Sequence, residues 1–278
     1  MALLVPDITL NDGTSIPQLG LGTYRLDDDS AYRVTSEALE IGYRHIDTAT
    51  IYKNERGVGK AIRESGIPRD DLYITTKLWN GDQPKARDAI SSSLDRLGLE
   101  HVDLYLIHWP APERGTYIEA WRALEHLKDD GLTTSIGVSN FLPEHLDALK
   151  VVSDTVPVLN QVELHPLLQQ TELRAVHADR GIATESWGPL GHGSVDLAAE
   201  APLLAVIAEA HGKSVAQVVL RWHVQEGLIV FPKTSHKERL LENISIFDFH
   251  LSDDDMDSIR ALDRNQRVGT HPLDGNWD

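Results

Sequence analysis

Cysteine is absent from the 278 residues, which removes disulfides, thiolate nucleophiles and cysteine-ligated zinc together. A chain without disulfides suits a reducing compartment, so a cytoplasmic location is the expectation. Long hydrophobic runs are missing as well. The longest, around residues 203–208, is far short of the ~20 apolar residues that span a bilayer, and no membrane partner is expected. Residues 1–6 carry no basic group, which argues against a secretory leader. Basic charge is scarce: 26 Lys and Arg stand against 43 Asp and Glu, a net charge of −17. Binding to DNA or RNA rests on cations that neutralise phosphates, so nucleic acid is not an expected partner. A G-x-G-x-x-G run is lacking too, since Gly20-Leu-Gly22 is followed by Arg25 where the third glycine would stand. That excludes a Rossmann-type crevice.

What remains is an ordinary globular composition, 41% hydrophobic and 25% charged, which argues against disorder. Ile8-Thr-Leu10, Asn11-Asp12-Gly13 and Thr14-Ser-Ile16 read as a hairpin, with Asp-Gly in the turn. Eight strand candidates follow, ending near Gly22, Asp47, Lys77, His108, Val138, Glu163, Trp187 and Phe231. Each gap holds one helix and two loops, as a βα unit requires. Ala31, Val34, Ala38 and Ile41 follow a helical period and Gly42 closes it; Gly66, Gly98, Gly131, Gly181 and Gly227 recur at the same place in later units. Glycine just past a helix end takes the left-handed conformation without a Cβ penalty. The pattern predicts an α/β fold, a (β/α)8 TIM barrel with an N-terminal β-hairpin, occupying 1–278 as one domain. The last gap is the longest, and residues 191–201 are read as an extra loop after the seventh strand.

In such barrels the C-terminal strand ends form the active face. Here they read Asp47, Lys77, His108, Ser139-Asn140, Gln161-Glu163, Trp187 and Lys233, with Tyr52 in the loop after Asp47. Any one alone would read as a surface or ion-paired residue. A carboxylate, an ammonium, an imidazole and a phenol at one predicted mouth are hard to explain by packing. A tyrosine hydroxyl has a reference pKa of ~10, high for proton exchange near neutrality. Lys77 at ~4 Å and an effective dielectric of ~20 would favour the phenolate by roughly 4 kcal/mol; desolvation opposes this, and a net lowering of the Tyr52 pKa is the expectation. Asp47 would keep Lys77 charged, and His108 would aim an N–H at a substrate oxygen where negative charge develops. The set suits protonation of a carbonyl oxygen while something else attacks its carbon. No H-x-H is present and the closest histidines are His101 and His108, so no metal is expected.

These residues resemble a known family, the aldo-keto reductases. Gly42-Tyr-Arg-His-Ile-Asp47-Thr-Ala, Tyr52 with Asn54-Glu55, Thr76-Lys77, Leu104-Tyr-Leu-Ile-His108-Trp-Pro110 and Ile136-Gly-Val-Ser139-Asn140-Phe match its signatures in order. The likeness runs from Asn11-Asp-Gly13 to Arg239 and Asn243, and is nearest to bacterial 2,5-diketo-D-gluconate reductase-like members. The resemblance implies NADPH-dependent carbonyl reduction by direct hydride transfer, with Tyr52 as general acid and Asp47, Lys77 and His108 as its partners. It assigns the nicotinamide carboxamide to Ser139, Asn140 and Gln161 and its stacking to Trp187, where many members carry tyrosine. Gly22, Thr23, Gly188, Pro189 and Leu190 join the implied cofactor set. Ser235 and Glu238 form a capping-box pattern, so a helix should start just after the eighth strand, where barrels commonly bind phosphate. There the resemblance makes Lys233 and Arg239 the 2′-phosphate binders, places Thr234 and Ser235 beside them, and gives adenine to Glu242 and Asn243.

Tyr24, Trp79, Trp109 and Trp277 are the expected aromatic wall of the substrate pocket. The loop at residues 109–115 and the tail after Arg267 are short, which predicts an open pocket and broad specificity for small carbonyl compounds. A monomer is the expected state. Rival readings are a Schiff-base aldolase built on a neutral Lys77, a metal-dependent hydrolase, a glycosidase using Glu163 and Glu185, and an NADPH-binding regulatory protein with little turnover.

Overall fold

The computed structural model describes residues 5–277; part of the leader reading falls on residues 1–4, outside the described residues. Strands β1 (Asp7–Thr9) and β2 (Ser15–Pro17) form the expected antiparallel hairpin, with Ile8 opposite Ile16. Eight parallel strands follow in neighbouring order: β3 (Leu21–Gly22), β4 (His45–Asp47), β5 (Tyr73–Leu78), β6 (Val102–Ile107), β7 (Thr133–Ser139), β8 (Leu159–Glu163), β9 (Ala183–Trp187) and β10 (Ile229–Val230). Isolated bridges from Leu19 to Val230 and from Gly22 to Lys233 join the first of these to the last, which closes the barrel. Gly22 is needed at that seam, because a Cβ there would lie 2.8 Å from the Phe231 carbonyl oxygen.

Alternation along each strand separates two cores. Leu104 and Leu106 point into the barrel, where they join Tyr73, Leu159 and Ile229 under Leu10 and Ile16 of the hairpin. Tyr105 and Ile107 point outward onto the helices. The hairpin thus plugs the N-terminal end, and the interior positions above this layer turn polar: Asp47, Lys77, Gln161 and Glu185 are all buried, as is His45 at the level of Tyr73.

The helical layer comprises α1 (Asp28–Ile41), α2 (Glu55–Glu64), α3 (Ala86–Leu97), α4 (Tyr117–Asp129), α5 (Pro143–Val152) and α6 (Thr171–Asp179). It continues with α7 (Leu197–Glu200), α8 (Leu203–His211), α9 (Val215–Gln225), α10 (Lys237–Ile244) and α11 (Asp253–Arg260). Asp27 caps α1 by accepting from the Ser30 amide at 2.7 Å, and the predicted closing glycines all have positive φ. The segment after β9 is richer than an extra loop: residues 191–201 include the one-turn α7, and two helices rather than one precede β10. Gly212, at φ 62°, breaks the apolar pattern between them, and α8 and α9 meet at 90°. No single helix among the described residues is long and apolar enough to cross a membrane.

Candidate active site

Strand register sets the site. Asp47 ends β4 and Lys77 lies on β5, both inward, and the Lys77 Nζ donates to Asp47 Oδ1 at 2.6 Å and to the Thr48 carbonyl at 2.8 Å. Both side chains are fully buried, so each charge depends on the other. This locks the ammonium that a Schiff-base aldolase would need neutral. Thr23 gives both its amide and its hydroxyl to the Asp47 carbonyl, each at 3.0 Å; its contribution is to hold β4 rather than to present a free hydroxyl.

Tyr52 sits on the short turn after β4. Its ring lies 5.7 Å from the His108 ring at 76° and 5.2 Å from the Lys77 Nζ. Burial pushes its phenol pKa well above 10, and Asp47, Tyr24 and Glu185 add to that. The expected net lowering by Lys77 is therefore corrected: the ammonium is directed to Asp47 and the Thr48 carbonyl, and desolvation prevails. The phenol is protonated at neutral pH, which is the form a general acid needs. Burial, reinforced by Lys77, pushes the His108 ring well below 6.5, so it is neutral. Its Nδ1 is buried without a hydrogen-bond partner.

Beyond this corner, Ser139 Oγ donates to the Gln161 carbonyl at 2.9 Å and Asn140 Nδ2 donates to Ser139 Oγ and the His108 carbonyl, each at 3.0 Å. Asn140 Oδ1 in turn accepts from Trp187 Nε1 at 2.9 Å, fixing the indole with a bond that a tyrosine ring could not make through the same nitrogen. Gln161 Nε2 donates to Asp47 Oδ2 and to Glu185 Oε2, both at 2.8 Å. With both amide protons committed, Gln161 Oε1 is the atom left for a ligand. Pro189 is buried and Leu190 packs against the hydrophobic clusters, so the Gly188–Pro189–Leu190 turn offers backbone rather than side chains.

The helix expected after the eighth strand is α10, but its capping box does not form. His236 occupies the N-cap position without a side-chain cap bond. Thr234 Oγ1 accepts from the His236 amide at 3.1 Å, and the Ser235 carbonyl is taken by Arg33 at 3.1 Å, which together start the helix one residue late. The first amides of α10 are left without a side-chain cap, and such groups favour anions. Lys233 and Arg239 are exposed beside them, whereas Glu242 is half-buried and Asn243 buried. Loss of some hydration near the strand end lowers the Lys233 pKa, and Arg25 lowers it further.

The four aromatics divide into two walls. Trp277 stacks on Trp79 at 6.3 Å and 9°, and meets the edge of Trp109 at 5.2 Å. Asn80 Nδ2 holds the tail by donating to the carbonyls of Gly275 and Trp277 at 3.1 and 3.2 Å. Trp109 is only 8% exposed, with Gly275 against its ring, so it supports the tail more than it faces the mouth. Tyr24 lies opposite, 5.1 Å from Tyr52.

Sequence reasoning missed Arg25 and His192. His192 stacks on Tyr24 at 5.4 Å and 14° and meets Trp187 at 5.3 Å and 65°, bridging the loops after β3 and β9; no spacing rule joins residues so far apart. The glycosidase pair separates into two roles. Glu163 accepts from the amides of Val268 and Gly269 at 2.6 and 2.9 Å and so anchors the tail, whereas Glu185 belongs to the polar layer beneath Asp47.

A cavity of about 830 Å³ lies elsewhere, lined by Leu10, Arg174, Glu226 and Arg260 among others. Its two arginines are already paired with Glu226 at 2.6 and 2.8 Å.

Comparison with known proteins agrees with this geometry. The model of the Aldo/keto reductase family matches residues 18–264. An aldo-keto reductase of Mycolicibacterium smegmatis is 51% identical over 274 residues, 98% of each chain. The methylglyoxal reductase DkgA of Yersinia pestis is 48% identical over 267 residues, 96% of each. The crystal structure of an aspartate-to-alanine mutant of Gox0644 in complex with NADPH superposes with a TM-score of 0.92 at 45% identity, covering 97% of this chain and 98% of that one. A closed eight-stranded barrel, a polar corner at its strand ends and relatives matched nearly end to end lead to one conclusion: the chain belongs to the aldo/keto reductase family.

Proposed function

We propose that the protein reduces small aldehydes and ketones, dicarbonyls such as methylglyoxal, keto-esters and keto-sugar acids among them, with NADPH as reductant and Tyr52 as general acid. The observation that carries this reading is the gathering of Tyr52, 5.7 Å from the His108 ring and 5.2 Å from the Lys77 Nζ, above the buried Asp47–Lys77 pair. The residues fit the cofactor. Gln161 Oε1, Ser139 and Asn140 would hold the carboxamide, Trp187 would stack on the ring, the backbone of Gly188–Pro189–Leu190 would follow the pyrophosphate, and Lys233, Arg239 and the uncapped α10 amides would take the 2′-phosphate. Gly22, Thr23, Thr234, Ser235, Glu242 and Asn243 complete the set implied by resemblance. When bound, NADPH supplies the hydride for the carbonyl carbon.

The chain's own part is proton delivery and positioning. As charge develops on the carbonyl oxygen, Tyr52 gives up its proton to what would otherwise be an alkoxide, a stronger base than phenolate. The Lys77 charge lies near the phenolate that results, and a neutral His108 donates one N–H to the same oxygen. Trp79, Trp277 and Tyr24 provide apolar walls beside this exchange. A mouth framed by a short, pinned tail suits a range of small substrates, and the protein acts as a monomer.

The direct test is loss of NADPH absorbance with methylglyoxal, keto-esters and aldehydes. Turnover of several of them supports the reading. Tight NADPH binding without turnover on any would favour the regulatory alternative, and turnover of one alone would contradict broad specificity.

A further inference from the structure

Two buried polar atoms without hydrogen-bond partners face each other beneath the site: His45 Nε2 and Glu185 Oε1, 3.6 Å apart and both fully buried. Their other contacts determine where protons sit. His45 Nδ1 lies 3.2 Å from the Pro17 carbonyl, which can only accept, so Nδ1 carries a proton. Burial pushes the ring down to about 3; it holds a single proton at neutral pH, and Nε2 presents a lone pair. Gly20 leaves room for this ring, since a Cβ there would lie 2.6 Å from Nδ1. A lone pair against a carboxylate oxygen is repulsive, whereas a proton on Glu185 Oε1 would make the contact across the 3.6 Å gap attractive.

The neighbours agree. His45 comes from β4, Asp47 ends the same strand, Tyr73 and Lys77 come from β5, Gln161 from β8 and Tyr52 from the turn above. The one cation among them is 2.6 Å from Asp47. Burial raises both carboxyls, but Lys77 offsets this most at Asp47, and Glu185 is pushed up to about 8 by burial and then by Asp47.

We propose that Glu185 is a positioning residue that stands as a neutral carboxylic acid, with its proton turned toward His45 Nε2 and its other oxygen accepting from Gln161, and thereby fixes the Gln161 amide with its oxygen toward the nicotinamide. The positioning part rests on the NADPH reading above; the protonation part does not. It also confines negative charge beneath the site to Asp47, whose partner is Lys77. Ionisation of Glu185 would place a second anion behind Tyr52 with no second cation to balance it.

Thermal unfolding of the cofactor-free protein tests the protonation. The unfolded chain sheds the Glu185 proton near the ordinary 4.5, the folded one near 8. Stability from this group is therefore whole below 4.5 and lost as pH rises to 8. Wild type and Glu185→Gln should differ little near pH 4.5, diverge in favour of the glutamine up to about 8 and keep a constant gap above it. A gap independent of pH would overturn the neutral acid. NADPH titrations, read by quenching of tryptophan fluorescence, test the positioning. Glu185→Ala leaves one Gln161 proton without an acceptor and should bind about tenfold more weakly than Glu185→Gln. Equal affinity in the two variants would overturn the role assigned to Gln161 orientation. Absence of NADPH binding in the wild type would defeat the positioning part together with the functional reading, and the unfolding measurement would still decide the proton.

Discussion

At the scale of single residues, the buried Asp47–Lys77 pair at 2.6 Å bears on both stability and the proposed chemistry. Removing one partner strands the other in a dry interior, which typically costs about 3–5 kcal/mol. Lys77→Met should therefore lower stability by that order in urea denaturation, as well as abolish turnover. A loss below about 1 kcal/mol would show that Asp47 finds another way to be neutralised, for example by taking up a proton from solvent. The clustering of Asp47, Lys77, His108 and Tyr52 was legible because strand spacing places the first three at one end of a barrel and Tyr52 follows Asp47 in the next loop. The Tyr52 proton was not. Its pKa depends on how completely the ring is desolvated and on which atom Lys77 faces, and neither is written in local sequence.

At the scale of elements, close helix contacts rest on particular glycines. A Cβ on Gly57 would lie 2.0 Å from the Asp28 carbonyl oxygen, and one on Gly59 2.0 Å from that of Leu97, so α2 lies directly on the backbone of α1 and of the α3 end. Gly57→Ala is expected to destabilise by about 1–3 kcal/mol through overpacking, read as a lower urea midpoint with an unchanged slope. The start of α10 gives the opposite expectation. Because the Ser235–Glu238 box is not formed, Ser235→Ala should change stability by less than the roughly 1 kcal/mol typical of a lost N-cap. Arg239→Ala at the same helix end should narrow the preference for NADPH over NADH by roughly tenfold or more; an unchanged preference would remove Arg239 from the phosphate site. Sequence placed this helix because the Ser235–Glu238 capping-box pattern follows a strand, but it could not foresee that Arg33, on α1, would take the Ser235 carbonyl.

For the whole molecule, the regular βα spacing and the glycines at helix ends made the barrel readable, and the −17 charge concealed the local cations Lys233, Arg239 and Arg25. What stayed hidden involves contacts between distant loops, such as His192 between Tyr24 and Trp187, and the folding of the tail over Trp79. Gly269 shows how tightly that tail is set, since a Cβ there would lie 2.4 Å from the Trp187 ring. These features depend on closure of the barrel, which brings together segments that no local pattern links. The central claim, that this closed barrel delivers a proton from Tyr52 to a carbonyl oxygen, is tested most directly by comparing wild type with Tyr52→Phe for NADPH consumption in the presence of methylglyoxal, alongside NADPH affinity. The prediction is a fall in kcat of about 10²–10⁴-fold with cofactor affinity retained. Turnover in Tyr52→Phe equal to that of the wild type would contradict it.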